Sequence, residues 1–230
     1  ILKENKFFKK FIEKDELVNY LKSDKTRFRI LDNSGNNSNR WSAFNIESIN
    51  GYHPAKINAY DKLLKNINKK GYYSPGALKL LNVKYIIHNE RGEIPGFIYK
   101  HKMKMNYFDS QGIHNGKPID THVYKNNNYI HRLFFVENVS IENNSNIIYS
   151  NIINDNFDPE IISYILEDEL SNNEINILNN LNFDQNASVE LLNWNPNEIQ
   201  FKTKTVAPQF LFISEIFYPG WELNNNMNII

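Results

Sequence analysis

The chain has 230 residues with 26 basic and 26 acidic side chains, a length that suits one domain or one and a half and can bury a sizeable core. The charge balance argues against a nucleic-acid footprint or a polybasic membrane patch. The absence of cysteine excludes disulfides and thiolate metal sites.

Near the N-terminus, Phe7, Phe8, Phe11 and Ile12 lie among lysines. They read either as a segment leaving a membrane surface or as an amphipathic helix packing on the domain. Asp15 is placed to cap a short helix with Leu17, Tyr20 and Leu21 on one face. Residues 27–31 alternate polar and apolar side chains and predict a strand; 33–39 form a polar Gly/Asn/Ser loop. Pro54 predicts a helix start, followed by Ile57, Tyr60, Leu64 and Ile67 at helical spacing and ended by Gly71. Ser74-Pro75 opens a second short helix that leads into a strand at 83–88. Strand, helices and strand together predict a crossover unit.

The stretch 89–120, rich in Gly and Pro, reads as an irregular insertion with one hairpin. A buried strand follows at 132–139, then a helix capped by Ser145 that carries Ile147, Ile148, Ile152 and Ile153. Residues 161–166 fit a helix or a strand equally well. Ser171 and Glu174 have capping-box spacing before Ile175. Beyond 185 the pattern changes to strands at 189–192, 198–205 and 209–217, with a type II turn expected at Tyr218-Pro219-Gly220-Trp221 and a last hairpin to 230. The predicted class is α+β: a mixed sheet with short helices over 1–184, then an antiparallel β-meander over 185–230 forming part of a β-sandwich. Strands 27–31, 83–87 and 133–136 are expected to share one sheet, with Ile30, Ile86 and Phe135 in a common core.

No apolar run approaches the roughly 20 residues that span a bilayer, and no signal-peptide pattern opens the chain. Taken alone this describes a cytosolic protein. Three phrases change that expectation: Gly51-Tyr52-His53-Pro54-Ala55-Lys56, Leu80-Leu81-Asn82-Val83-Lys84-Tyr85-Ile86-Ile87, and Ser214-Glu215-Ile216-Phe217-Tyr218-Pro219-Gly220-Trp221. With Arg27-Phe28-Arg29-Ile30-Leu31 before them and Arg132-Leu133-Phe134-Phe135-Val136-Glu137-Asn138-Val139 between, their order resembles the extracytoplasmic C-terminal region of YfhO-like bacterial membrane proteins, relatives of GT-C-type glycosyltransferases.

The resemblance implies a fragment without its membrane helices, on the extracytoplasmic side of the bacterial cytoplasmic membrane, with a last strand that has lost its partner. It implies that the catalytic acid lies in the missing membrane part, so this chain carries no catalytic residue. The implied partners are the chain's own membrane domain and a lipid-linked sugar or envelope glycan, with no nucleic acid.

Among the residues themselves, 51–56 is the leading site candidate. A helix start attracts anions through its unpaired N–H groups, and His53 and Lys56 are placed beside one for a sugar-linked phosphate. Trp41, Tyr52 and Tyr60 are candidates for stacking on a sugar, and Trp221 for a similar aromatic corner. The structural alternative is that Gly51 and Pro54 build a turn and the aromatics pack. Six scattered histidines lack metal-helix spacing, so neither a metal nor a cofactor is expected. Two other functions stand beside sugar transfer: a non-catalytic glycan-binding or protein-interaction module, and a soluble hydrolase, which the lack of an acid/base constellation disfavours.

Overall fold

The computed structural model describes residues 6–35, 39–51, 57–68, 74–108, 116–217 and 220–223. Its first half contains α1 (Lys6–Phe11), α2 (Glu16–Ser23), β1 (Arg29–Asn33), a 3₁₀ turn (Arg40–Phe44), β2 (Glu47–Ser48), α3 (Asn58–Ile67), α4 (Pro75–Leu80), β3 (Val83–His88), β4 (Phe97–Tyr107) and β5 (Lys117–Asn126). Then come β6 (Leu133–Val136), β7 (Asn138–Glu142), α5 (Ser145–Ile152), β8 (Ile162–Leu166), a 3₁₀ turn (Glu167–Glu169), α6 (Asn172–Asn179), β9 (Ser188–Asn195), β10 (Glu198–Lys204) and β11 (Phe210–Ile213). The class is α+β. Two compact units divide the chain: residues 1–56 with 81–129, and 57–80 with 130–230. Residues 130–184 thus group with the C-terminal strands.

The first unit is built on a five-stranded mixed sheet in the order β2-β1-β3-β5-β4. β1 runs parallel to both β2 and β3, as a crossover requires. The segment expected to be an irregular insertion supplies β4 and β5, a long antiparallel hairpin that joins the sheet through β3. Its glycines and prolines mark the turns, while Lys100, Lys102 and Lys104 interrupt the apolar pattern of β4 and weaken its sequence signal.

Helix α2 covers one face of this sheet. Asp15 caps it as expected, accepting from the Val18 N–H at 2.9 Å. Leu17, Val18 and Leu21 then meet Ile30, Tyr85, Ile87, Met103, Met105 and Val123. Phe11 of α1 sets its ring edge-on to Phe108 at 5.2 Å, so this part of the N-terminal segment packs on the domain.

Arg40 is fully buried and fastens the 3₁₀ turn to the N-terminal segment. Its Nε and Nη2 donate to the carbonyls of Phe11 and Glu13, at 3.0 and 2.6 Å. Its Nη1 lies 2.8 Å from Asp15 Oδ2, a contact that is ionic rather than directional, since that nitrogen has no hydrogen bond. The rings of Phe44 and Phe108 flank the guanidinium.

The second unit corrects two expectations. β6 does not join β1 and β3; it pairs antiparallel with β11, Leu133 opposite Ile213 and Val136 opposite Phe210. The C-terminal strands are therefore not a simple meander: β9 and β10 form a hairpin, while β11 crosses to β6. A shared core of Ile30, Ile86 and Phe135 fails for a second reason. Ile30 is opposite Tyr85 and Leu31 opposite Ile86, so Ile30 and Ile86 occupy opposite faces, because side chains alternate along a strand.

Residues 162–166, left open between helix and strand, form β8, parallel to β7. Helix α5 is capped by Asn144 rather than Ser145, both being good caps. The capping box of Ser171 and Glu174 forms as expected. Tyr218 and Pro219 of the expected type II turn, and residues 224–230 of the expected hairpin from Trp221 to Ile230, lie outside the described residues.

Candidate functional site

The part of the first unit best placed to present a ligand is the carboxyl end of β1 and β2. In open sheets with parallel strands, ligands are met at the carboxyl ends, where successive loops leave in different directions. β1 ends in Asp32-Asn33 and delivers the loop that begins Ser34-Gly35, with Gly35 at φ +81°. β2 ends at Ser48 and delivers Asn50 and Gly51.

Asn50 is bound to β1 like an added rung. Its Nδ2 donates to the Asp32 carbonyl at 2.6 Å, its Oδ1 accepts the Asp32 N–H at 3.2 Å, and Ser48 Oγ donates to the same Oδ1 at 2.7 Å. Gly51 abuts the end of the first loop, since a Cβ on it would stand 3.1 Å from Asn39 Oδ1. Gly51 therefore stands at the carboxyl end of the parallel pair, beside Asn39.

Asp32 is the buried acid of this region. Its Oδ1 accepts from the Ser34 N–H at 3.0 Å and from Ser34 Oγ at 2.6 Å; its Oδ2 accepts from Trp41 Nε1 at 2.7 Å. Burial pushes its carboxyl above the ordinary range, and the bonds from Ser34 and Trp41 work in the opposite direction. With both oxygens engaged, Asp32 ties Ser34, just after β1, to Trp41 of the 3₁₀ turn.

Of the residues singled out in sequence, Tyr52, His53 and Lys56 lie outside the described residues, as does Pro54. The helix that follows starts at Asn58, with Ile57 as an N-cap that offers no side-chain bond.

Trp41 is 3% exposed, its indole N–H spent on Asp32, so it presents no platform for a sugar. Tyr60 and Trp221 are half-buried and belong to the second unit. Asp32 and Ser34 carry no distinctive sequence signal because Asp-Asn-Ser-Gly looks like any turn. The available signal was its position directly after a strand.

In the second unit, three of the phrases meet. Ser214 Oγ donates to the Leu80 carbonyl at 2.7 Å and its N–H to the Arg132 carbonyl at 2.7 Å. Arg132 is 2% exposed; its Nη1 lies 3.0 Å from Glu215 Oε2 and its guanidinium over the Trp194 ring at 5.0 Å.

Among the described residues no group of His, Asp and Glu is placed to hold a metal ion, and no helix is long and apolar enough to cross a membrane. Comparison with protein-family models, curated proteins and solved structures returns no match.

Proposed function

We propose that this chain is an extracytoplasmic region of a YfhO-like membrane protein that assists transfer of sugar from a lipid-linked donor to a cell-envelope glycan or glycolipid. The observation that carries this reading is the order of the phrases at 51–56, 80–87 and 214–221, with 27–31 and 132–139 in their expected places. The departure of Gly51 from the carboxyl end of β1 and β2 supports a ligand-facing role for Tyr52, His53 and Lys56. In this reading the imidazole and the ammonium hold the donor's phosphate, while the reacting acid belongs to the membrane part.

The test is made in the full-length parent. His53→Ala and Lys56→Ala should each reduce glycan transfer while leaving expression and melting temperature unchanged. Full transfer in both variants sinks the site, and an upstream coding region without membrane spans sinks the membership. A second reading, a non-catalytic interaction module, is favoured by the exposure of Leu192, Val206 and Phe217, at 59%, 89% and 64%.

A further inference from the structure

The face of the first unit's sheet that lies opposite α2 carries a different chemistry. Strand register places His122 of β5 between His88 of β3 and Lys102 of β4, each directly opposite it. Directly opposed residues have Cβ atoms about 4.5–5.5 Å apart, so two imidazoles and an ammonium form one row. The next row toward the start of β5 is Asp120 with Lys104, and the row on the other side is Tyr124 with Ile86 and Tyr99. From the loop after β3, Arg91 lays its guanidinium 4.6 Å over the Tyr99 ring. The Tyr99 hydroxyl lies 3.4 Å from His122 Nδ1.

Three features make this row a receptor for an anion. First, the cations outnumber the acid: Asp120 is paired with both Lys102 and Lys104, which leaves one positive charge before Arg91 is counted. Second, Arg91 has no hydrogen-bonding or ion-pair partner among the described residues, so its fork of donors is unspent while Tyr99 fixes its plane. Third, the Glu90 N–H donates to His88 Nδ1 at 3.1 Å, which makes Nδ1 the acceptor and leaves the proton of the neutral ring on Nε2, as a donor. The electrostatics agree: partial burial, then Lys102 and Arg91, press the His122 imidazole below its ordinary value, with His88 adding and Asp120 opposing.

We propose that this row is a phosphate-binding site, in which Arg91, His88, His122 and Lys102 take the oxygens of a phosphomonoester carried by a small soluble ligand. A compact tetrahedral dianion matches the three donors of this row together with Arg91 from the loop after β3. An extended sheet of lipid headgroups would use several free lysines, whereas Lys102 and Lys104 share Asp120. None of these residues belongs to the phrases that carry the proposed function, so the site stands or falls independently of it.

The test follows the imidazole resonances of the chain by NMR at pH 7 during titration with inorganic phosphate and with glucose 1-phosphate. The His122 and His88 signals should move saturably while His131, in the other unit, stays still. The His122 pKa should rise in the saturated protein, because the bound anion favours the imidazolium. Arg91→Ala, an exposed change that leaves the fold intact, should weaken binding about tenfold, as loss of a charge-assisted pair does. Linear, non-saturating shifts across all the histidines would overturn the proposal, as would wild-type affinity in Arg91→Ala. Co-sedimentation with phosphatidylglycerol vesicles without any response to either phosphate would overturn it in favour of a membrane-facing patch.

Discussion

Gly76→Ala sets helix propensity against packing, and the geometry decides which wins. Gly76 is buried in the first turn of α4. A Cβ at that position would overlap the Phe157 carbonyl oxygen and stand 2.9 Å from both its carbonyl carbon and its Cδ1. Alanine is favoured over glycine inside a helix by about 1 kcal/mol, and by less in the first turn. Against this, overpacking a close-packed site costs about 1–3 kcal/mol, and here the obstacle is backbone.

That backbone is held on both sides. The Phe157 N–H donates to the Asn154 carbonyl at 3.0 Å, and the neighbouring Asp158 carboxylate receives Lys79 Nζ of α4 at 2.8 Å. A simple rotamer change therefore cannot relieve the overlap, and the penalty falls near the top of its range. A net loss of about 2 kcal/mol lowers the melting temperature by about 4–8 °C for a chain of this size. Thermal unfolding followed by circular dichroism measures it, with Gly92→Ala, where a Cβ meets nothing within 4 Å, as the control. A Gly76→Ala protein that melts with or above the wild type would show that the 154–158 turn yields and that the approach of α4 to it is not a fixed contact.

Two further outcomes are expected. Burial opposes ionisation of Asp24, but hydrogen bonds from Lys84, Thr26 and Tyr85 more than offset it and hold the carboxyl well below the ordinary range. Its stabilisation is therefore complete above the unfolded value of about 3.9 and is lost as pH falls through the lower folded value, so urea midpoints at pH 5 and pH 2.5 should differ less in Lys84→Met than in the wild type; equal differences would refute the linkage. Arg132→Ala should cost about 2 kcal/mol, below the usual 3–5 for a broken buried pair because Glu215 keeps 28% exposure and can rehydrate; emission from Trp194 should change with it, and an unaltered spectrum would remove the stacking contact.

What was legible in the sequence followed local rules. The Asp15 cap and the Ser171–Glu174 box depend on residues within three positions of one another, and both form. The parallel relation of β1 and β3 was legible because a helical stretch between two apolar runs leaves few alternatives. The pairing of β6 was not, because Leu133 to Val136 is apolar enough to sit in any buried sheet, and nothing local says that its partner is Phe210 to Ile213. Arg40 was invisible for the opposite reason. A single arginine after a polar loop reads as solvent-exposed, and only the fold reveals two backbone carbonyls, Asp15 and two rings gathered around it.

The phrases that carry the family resemblance divide by what the fold asks of them. Ser214 and Glu215 tie one phrase to Leu80 of a second and Arg132 of a third. Arg29 of a fourth donates from Nη1 to the Leu81 carbonyl at 3.2 Å, and Arg27 of the same phrase pairs with Glu47 at 2.6 Å. Each of these residues closes a bond between segments far apart in sequence, and a buried carbonyl or carboxylate left without its partner costs about 1–3 kcal/mol. Folding alone is reason enough for such residues, whatever the protein transfers or binds. The phrase at 51–56 is different: its first residue is delivered to the carboxyl end of β1 and β2, and its His and Lys are the types that meet phosphate. The functional content of the resemblance therefore rests on His53 and Lys56, and substitutions there discriminate between sugar transfer and scaffold in a way that substitutions at Arg132 or Ser214 cannot.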